Sequence, residues 1–130
     1  MAGFTDYSED LVLDWLLTAG SATRPTSWYV ALYTVAPTDT GGGTEVSGGS
    51  YVREAITFSV SGTAPATATN SADIEFPEAT ANWGTVVAAG VFDASTGGNL
   101  LAYSNLTTSK AVSTGDVLRF NTGALDITLD

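Results

Sequence analysis

Two apolar segments separated by a turn stand at the centre of this sequence, within residues 82–103. The first covers residues 86–92, the second covers 100–103, and 93–99 between them reads Asp-Ala-Ser-Thr-Gly-Gly-Asn. Two apolar runs of strand length around turn-forming residues predict a β-hairpin. Because the first run is apolar on both faces, we expect it in the middle of a sheet, covered on one side by a second sheet and on the other by a helix or a neighbouring subunit.

The turn predicts how this hairpin closes. Asp93 and Ser95 can hydrogen-bond to their own backbone, and Gly97 and Gly98 can adopt the positive φ of a tight reversal. The same residues match the start of a calcium-binding loop, but Ser104 stands where such a loop needs a bidentate Glu. We therefore interpret this segment as a turn and not as a metal site.

One helix is predicted, over residues 6–19. Asp6 is a candidate N-cap with Glu9 three positions later, and Gly20 is placed to end the helix. Its polar stripe is narrow, and the remaining positions are apolar: Leu11, Val12, Leu13, Trp15, Leu16 and Leu17. A helix apolar over most of its circumference is either buried in its own domain or docked on a neighbouring subunit, and the sequence leaves both open.

Alternating or β-branched segments predict further strands: 27–35, 51–60, 72–76, 117–120 and 124–129. Along 51–60 the pattern places Val52, Ile56, Phe58 and Val60 inward and Arg53, Thr57 and Ser59 outward. Segments rich in Gly, Ser, Thr or Ala are interpreted as connections: 38–50, 61–71 and 105–114.

The fold class follows from this count of elements. About seven or eight antiparallel strands at short spacing, with one N-terminal helix, predict a mainly β domain of the β-sandwich or jelly-roll-like type. A length of 130 residues fits one domain spanning residues 1–130.

The residue types that the chain lacks narrow its chemistry. It contains no histidine and no cysteine, which removes the commonest general base, the commonest metal ligand and all thiolate chemistry. Asp73 and Glu75 fall on the polar side of a predicted strand, and with Glu78 they are interpreted as solvated carboxylates. The sequence therefore predicts no enzyme, and no catalytic, cofactor-binding or metal-binding residues.

The charge bears on the partners of the chain. Its net charge is −10, and its basic residues are Arg24, Arg53, Lys110 and Arg119. Phosphate-backbone binding depends on Lys and Arg, so we expect neither nucleic acid nor an anionic membrane as a partner. The sequence shows no secretion signal and no apolar run near the ~20 residues of a membrane span. We expect a protein that is made in a cytoplasm, is not secreted and stays soluble there at least at first.

Four motifs in a fixed order resemble a known group of proteins. They are Pro-Thr-Ser-Trp-Tyr-Val-Ala-Leu-Tyr-Thr (25–34), Glu-Val-Ser-Gly-Gly-Ser-Tyr-Val-Arg-Glu-Ala-Ile-Thr-Phe (45–58), Ile-Glu-Phe-Pro-Glu-Ala-Thr-Ala-Asn-Trp-Gly-Thr-Val (74–86) and Gly-Val-Phe-Asp-Ala-Ser-Thr-Gly-Gly-Asn-Leu-Leu (90–101). With the Leu-rich helix before them, they resemble small virion structural proteins of tailed bacteriophages, called tail fibre proteins or capsid cement (decoration) proteins.

The resemblance implies a non-enzymatic virion protein without a cofactor. Our leading expectation is a capsid cement protein that binds the major capsid protein and forms a homotrimer. A tail fibre or tail-tip component is the first alternative. The second is a carbohydrate-binding module for host recognition, which would need an exposed aromatic platform that includes Trp28 or Trp83.

Overall fold

A computed structural model describes residues 3–63 and 65–129. Within this part of the chain there are one helix and eleven strands, and every strand pair is antiparallel. In chain order they are β1 (Gly3–Phe4), α1 (Asp6–Leu17), β2 (Tyr29–Val35), β3 (Thr44–Glu45), β4 (Glu54–Ala55), β5 (Phe58–Ser61), β6 (Ala66–Asn70), β7 (Ile74–Glu75), β8 (Gly84–Phe92), β9 (Leu100–Val112), β10 (Arg119–Phe120) and β11 (Asp126–Leu129).

The largest sheet is built around the predicted hairpin. Its strand order is β1-β9-β8-β2-β3, and β4 pairs with β2 beside β3. Strand β8 therefore lies between β9 and β2, with Val91 opposite Ala102 on one side and Val30 on the other. The hairpin and its central position are confirmed.

A second layer covers one face of this sheet. It consists of a three-stranded sheet, β11-β6-β5, and a two-stranded sheet, β10-β7. Between the layers lies the main apolar core, to which β2 contributes Val30 and Leu32 and the β7 segment contributes Ile74 and Phe76. The mainly β, sandwich-like fold class is confirmed, although the strands are shorter and more numerous than predicted.

On the other face of the large sheet, where a helix or a neighbouring subunit was expected, the first turn of α1 lies beside Tyr33, Phe92 and Leu100. This face carries a smaller cluster that includes Ala31, Tyr33 and Phe92. The guanidinium of Arg53 lies 3.6 Å from the centre of the Phe92 ring. Its Nη1 atom also donates to carbonyls of the 93–99 turn.

Two of the predicted connections are strands. Strand β9 continues through 105–112, where Thr85 pairs with Ala111, and β6 occupies Ala66–Asn70 at the centre of the small sheet. Both segments are polar, but strand pairing uses backbone groups and does not require apolar side chains. The prediction failed because it used apolar periodicity alone.

The segment 51–60 is not one strand. It divides into β4 and β5, which belong to different sheets. Ile56 is buried as predicted, whereas Val52 and Val60 are exposed and Arg53 is largely buried. The change of sheet reverses the alternation that a single strand would keep.

The segment 38–50 was expected to be a loop, and most of it is. It nevertheless contains β3, which pairs with β2, and it buries Val46 in the main core. Gly41, Gly42, Gly43 and Gly48 have positive φ, so the chain can reverse on both sides of β3.

Candidate assembly surface

Helix α1 carries half of the exposed large apolar side chains found in residues 3–63 and 65–129. Five of these ten residues lie on α1, with exposed fractions from 42% to 71%: Tyr7, Leu13, Trp15, Leu16 and Leu17. We call these five residues the α1 patch. Of the two environments that the sequence left open, burial within the same chain applies to none of these five residues, although Leu11 and Val12 of the same helix are half-buried. Large apolar side chains concentrated on one exposed element mark a candidate interaction site.

Polar side chains at its first turn attach α1 to the large sheet. Thr5, and not Asp6, is the N-cap, because its Oγ1 atom accepts from the Ser8 amide. The Thr5 hydroxyl donates to the Leu100 carbonyl at 2.6 Å, and the Ser8 hydroxyl donates to the Leu101 carbonyl at 2.6 Å. The buried side of α1 is thus its polar first turn, which explains why its apolar residues remain exposed.

The end of α1 is apolar around most of its circumference. Successive helical residues are rotated by about 100°, so Leu13, Leu16 and Leu17 share one side and Trp15 projects from nearly the opposite side. Thr18 is the C-cap, and its hydroxyl donates to the Asp14 carbonyl. The helix therefore ends at Leu17, two residues earlier than predicted, and Thr18 takes the C-cap position that was expected next to Gly20. Its last turn therefore exposes apolar side chains on two opposite sides and not along one face of the helix.

A cleft of about 810 Å³ lies between the two layers, beside β9. Half-buried apolar side chains line it: Phe58, Leu106, Phe120, Leu125 and Ile127. The charged residues of its lining are Lys110, Arg119, Asp116 and Asp126. None of its lining residues belongs to α1, so the cleft and the α1 patch are separate surfaces.

The cleft follows from the way β9 is paired. Strand β9 pairs with β8 over most of its length, but β1 covers its other edge only at Ala102 and Tyr103. Residues 106–109 form an irregularity in the pairing with β8. Between residues 104 and 112 this edge of β9 therefore has no second strand among the described residues. Strand edges of this kind accept partners in many assemblies.

The largest polar cluster is structural. Arg53 forms a bidentate ion pair with Glu45, with distances of 2.9 Å from Nε to Oε2 and 2.8 Å from Nη2 to Oε1. The Tyr51 hydroxyl donates to Glu45 Oε2 and accepts from the Leu32 amide of β2. The Tyr51 hydroxyl thereby gives a hydrogen-bond partner to a backbone amide of β2 that lies between the residues paired with β3 and those paired with β4.

The environment of this cluster changes its acid–base properties. Burial favours the neutral form of Glu45, but hydrogen bonds from Arg53 and Tyr51 and the charge of Arg53 outweigh it and hold its pKa below 4.5. Burial and the neighbouring Glu45 raise the pKa of Tyr33 to about 12. Burial and the bond to Glu45 raise the pKa of Tyr51 as well. The cluster is therefore held in one charge state near neutral pH.

The carboxylates examined as candidate catalytic groups do not converge. Asp73 accepts bonds from Thr122 and Arg119, its neighbours across the β7–β10 pair, while Glu75 and Glu78 are exposed. Asp93 accepts from the Asn99 amide and side chain, which closes the hairpin turn. Within the described residues no three His, Cys, Asp or Glu side chains are grouped as they would be around a metal ion.

The two tryptophans that a glycan-binding platform would need to expose are half-buried or buried. Trp83 is buried and donates from its indole nitrogen to the Gly49 carbonyl at 2.9 Å, while Trp28 packs against the main core. Tyr51 stacks against Phe76, and Tyr33 is buried. The exposed tryptophan is Trp15 on α1. Its sequence context indicates an apolar helix but not that this side chain faces solvent.

In the part of the chain that the structure describes, no helix has the length and apolarity that a membrane crossing requires.

A protein-family model matches most of the chain. The family model described as Podophage GP4 fiber I protein gp80 matches residues 3–128. No curated protein matches the chain. The family match includes α1, both layers and the cleft.

Proposed function

The chain belongs to the Podophage GP4 fiber I protein gp80 family, and from this premise we propose that it is a tail fibre component attached to other virion proteins through the α1 patch. The family makes the chain a structural component of the phage virion, assembled in the host cytoplasm. The observation that supports our assignment is the concentration of five exposed large apolar side chains on one 12-residue helix.

The size of the α1 patch supports a role in assembly. Side chains of this size, exposed by about one half to two thirds, each leave on the order of 100 Å² accessible, or roughly 500 Å² together. A stable protein–protein interface buries about 800 Å² on each partner. The side of α1 that carries Leu13, Leu16 and Leu17 therefore provides a substantial part of what one such contact needs, and a partner that surrounds the helix end would also bury Trp15.

A capsid cement protein, our leading expectation from the sequence, would also need an exposed surface for attachment. The description of the family favours the fibre alternative, and we propose the fibre role for that reason. Cryo-electron microscopy of the phage, with this chain labelled by a fused epitope, distinguishes the two locations. We expect the label on the tail fibres, whereas a label spread over the capsid shell would contradict the fibre assignment and support the cement role.

A phage variant tests whether the α1 patch mediates the attachment. The double substitution Leu16→Glu and Leu17→Glu places charges in the patch, and we expect the folded chain to be lost from purified particles. Val60→Glu is the matched control, because Val60 is 72% exposed but lies on β5. Normal incorporation of the double variant, measured by mass spectrometry of particles, would refute the role of α1.

We further propose that the protein has no enzymatic activity and that it assembles as a homotrimer. The lack of histidine and cysteine and the dispersed carboxylates support the first statement. The exposed α1 patch supports self-association, and closure of three copies around one axis would give three α1 patches identical environments. Light scattering of the purified chain over a range of concentrations measures the oligomer directly.

A further inference from the structure

We propose that the last turn of α1 from one copy of this chain inserts into the inter-sheet cleft of a neighbouring copy. The contact is head-to-tail, because it joins two different surfaces, and it rests on the proposed role in fibre assembly. A head-to-tail contact closes into a ring when its rotation allows and otherwise produces a filament. Closure after three copies would produce the proposed trimer.

The two surfaces agree in size. An α-helix with its side chains has a diameter of about 10–12 Å and rises about 5.4 Å per turn, so one turn occupies on the order of 500 Å³. The apolar end of α1, residues 13–17, is about one and a half turns long. The cleft of about 810 Å³ therefore has the volume that this segment requires.

The two surfaces also agree in polarity. The end of α1 exposes Leu13, Trp15, Leu16 and Leu17, and the cleft lining combines half-buried apolar side chains with polar ones at its β9 side. Each of these surfaces is in contact with water in the single chain. Insertion would remove both from water in one step, which is the main source of free energy in protein association.

Charge favours this partner. Helix α1 contains four acidic residues, Asp6, Glu9, Asp10 and Asp14, and no basic residue. The cleft contains Lys110 and Arg119, two of the four basic residues of the chain, together with Asp116 and Asp126. In a chain of net charge −10, a cleft whose basic and acidic residues balance repels an acidic helix less than an acidic surface would.

Site-directed cross-linking tests the contact. Because the chain contains no cysteine, only the introduced thiols can react. One variant carries Leu17→Cys at the end of α1 and Thr108→Cys beside the cleft, and it is treated with a short bismaleimide. We expect covalent chains of two or more copies from this double variant. We expect almost none from Leu17→Cys alone or Thr108→Cys alone.

The control replaces the cleft position by an exposed residue elsewhere. Leu17→Cys with Ser95→Cys places the second thiol in the hairpin turn, and it should not form these species. Dimers from Leu17→Cys alone would mean that α1 packs against α1, which overturns the proposal. A double variant that stays monomeric at every concentration, with a normal circular dichroism spectrum, overturns it as well.

A charge reversal provides a second measurement. Lys110→Glu should lower the yield of cross-linked species about two- to five-fold, the effect of one partly exposed charge pair. Arg24→Glu changes the net charge equally but lies outside the cleft lining. Equal yields from the two reversals would contradict the placement of α1 in the cleft. These experiments use the purified chain, so their outcome is independent of its location on the particle.

Discussion

At the scale of single residues, Arg53 connects more of the structure than any other charged side chain described here. It binds Glu45 through both carboxylate oxygens, donates to the carbonyls of Ala94 and Gly97, and lies over the Phe92 ring. These contacts join the β3 segment to the hairpin turn. Only 8% of the Arg53 side chain and 26% of the Glu45 side chain are exposed.

Removal of the Arg53 guanidinium should therefore be costly. Arg53→Ala leaves a mostly buried carboxylate without its counter-ion and two carbonyls without a donor, and we expect a loss of about 3 kcal/mol in the free energy of unfolding. Arg119→Ala is the control, because Arg119 and Asp73 form an ion pair with side chains 49% and 46% exposed. Arg119→Ala should lower the free energy of unfolding by less than about 1 kcal/mol. Urea titrations measure both, and equal losses would contradict a structural role for the buried pair.

Stability should decrease in acid because of the same residues. The pKa of Glu45 is lower in the folded chain than its ordinary value of 4.5, so its ionised form favours folding. This contribution is fully present above pH 4.5 and is lost as the pH falls through the lower folded value. Thr122 and Arg119 lower the pKa of the exposed Asp73 in the same direction.

Glu45→Gln separates the contribution of Glu45 to the acid sensitivity from that of Asp73. It removes one group that binds protons on unfolding, so the slope of unfolding free energy against pH between about 3 and 5 should become smaller. The slope is the measurement, since the substitution also leaves Arg53 unpaired and lowers stability at every pH. An unchanged slope would assign the acid sensitivity to other carboxylates.

At the scale of elements, α1 and β9 are both used differently from what their sequences indicate. The hydroxyl groups of Thr5 and Ser8 attach α1 to β9, and its apolar end points away from the sheet. Strand β9 has a largely polar second half, yet it pairs with β8 as far as Val112. Each element therefore leaves a surface available for a partner.

The attachment of α1 should depend on Thr5. Thr5→Val keeps the shape of the side chain but removes the helix N-cap and a buried hydrogen bond to the Leu100 carbonyl, so we expect a loss of about 1–3 kcal/mol. Thr18→Val, at the exposed C-cap, should cost less than about 0.5 kcal/mol. Urea unfolding followed by circular dichroism compares them. A harmless Thr5→Val would mean that α1 is held by other contacts.

At the scale of the whole molecule, one apolar core connects the two layers. Its buried members come from β2 and β8 of the large sheet and from residues near β7 and β10. Phe58 and Leu125, from the small sheet, pack against the same core. A shared core couples the layers, which supports the proposal that residues 1–130 form one domain.

A single domain predicts one cooperative transition. For a monomeric chain of 130 residues, we expect an unfolding enthalpy on the order of 90 kcal/mol near 60 °C. Calorimetry, circular dichroism and the fluorescence of the buried Trp83 should yield the same midpoint. Two separated transitions would show that the layers unfold independently.

The family resemblance, the sandwich-like class and the central hairpin could be predicted from the sequence. The hairpin was predictable because its signals are local: two apolar runs, and a turn that contains Asp93, Gly97 and Gly98. The faces of β2 were also predictable, since Val30 and Leu32 alternate with Ala31 and Tyr33. The alternation of apolar residues and the residue preferences of turns depend only on neighbouring positions, so they can be recognised without knowledge of the rest of the chain.

Only the tertiary structure decided which surfaces remain exposed. The sequence showed an apolar helix, but whether Trp15, Leu16 and Leu17 meet the core depends on where the Thr5 and Ser8 hydroxyls attach it to β9. The sequence pattern also placed Arg53 outward, whereas its side chain is largely buried. The pattern was misleading because β4 and β5 belong to different sheets, and nothing in the alternation of residues marks the change. The cleft arises from the free edge of β9, which is a property of strand order. Burial and strand order depend on contacts between residues distant in the chain, and one-dimensional patterns do not contain them.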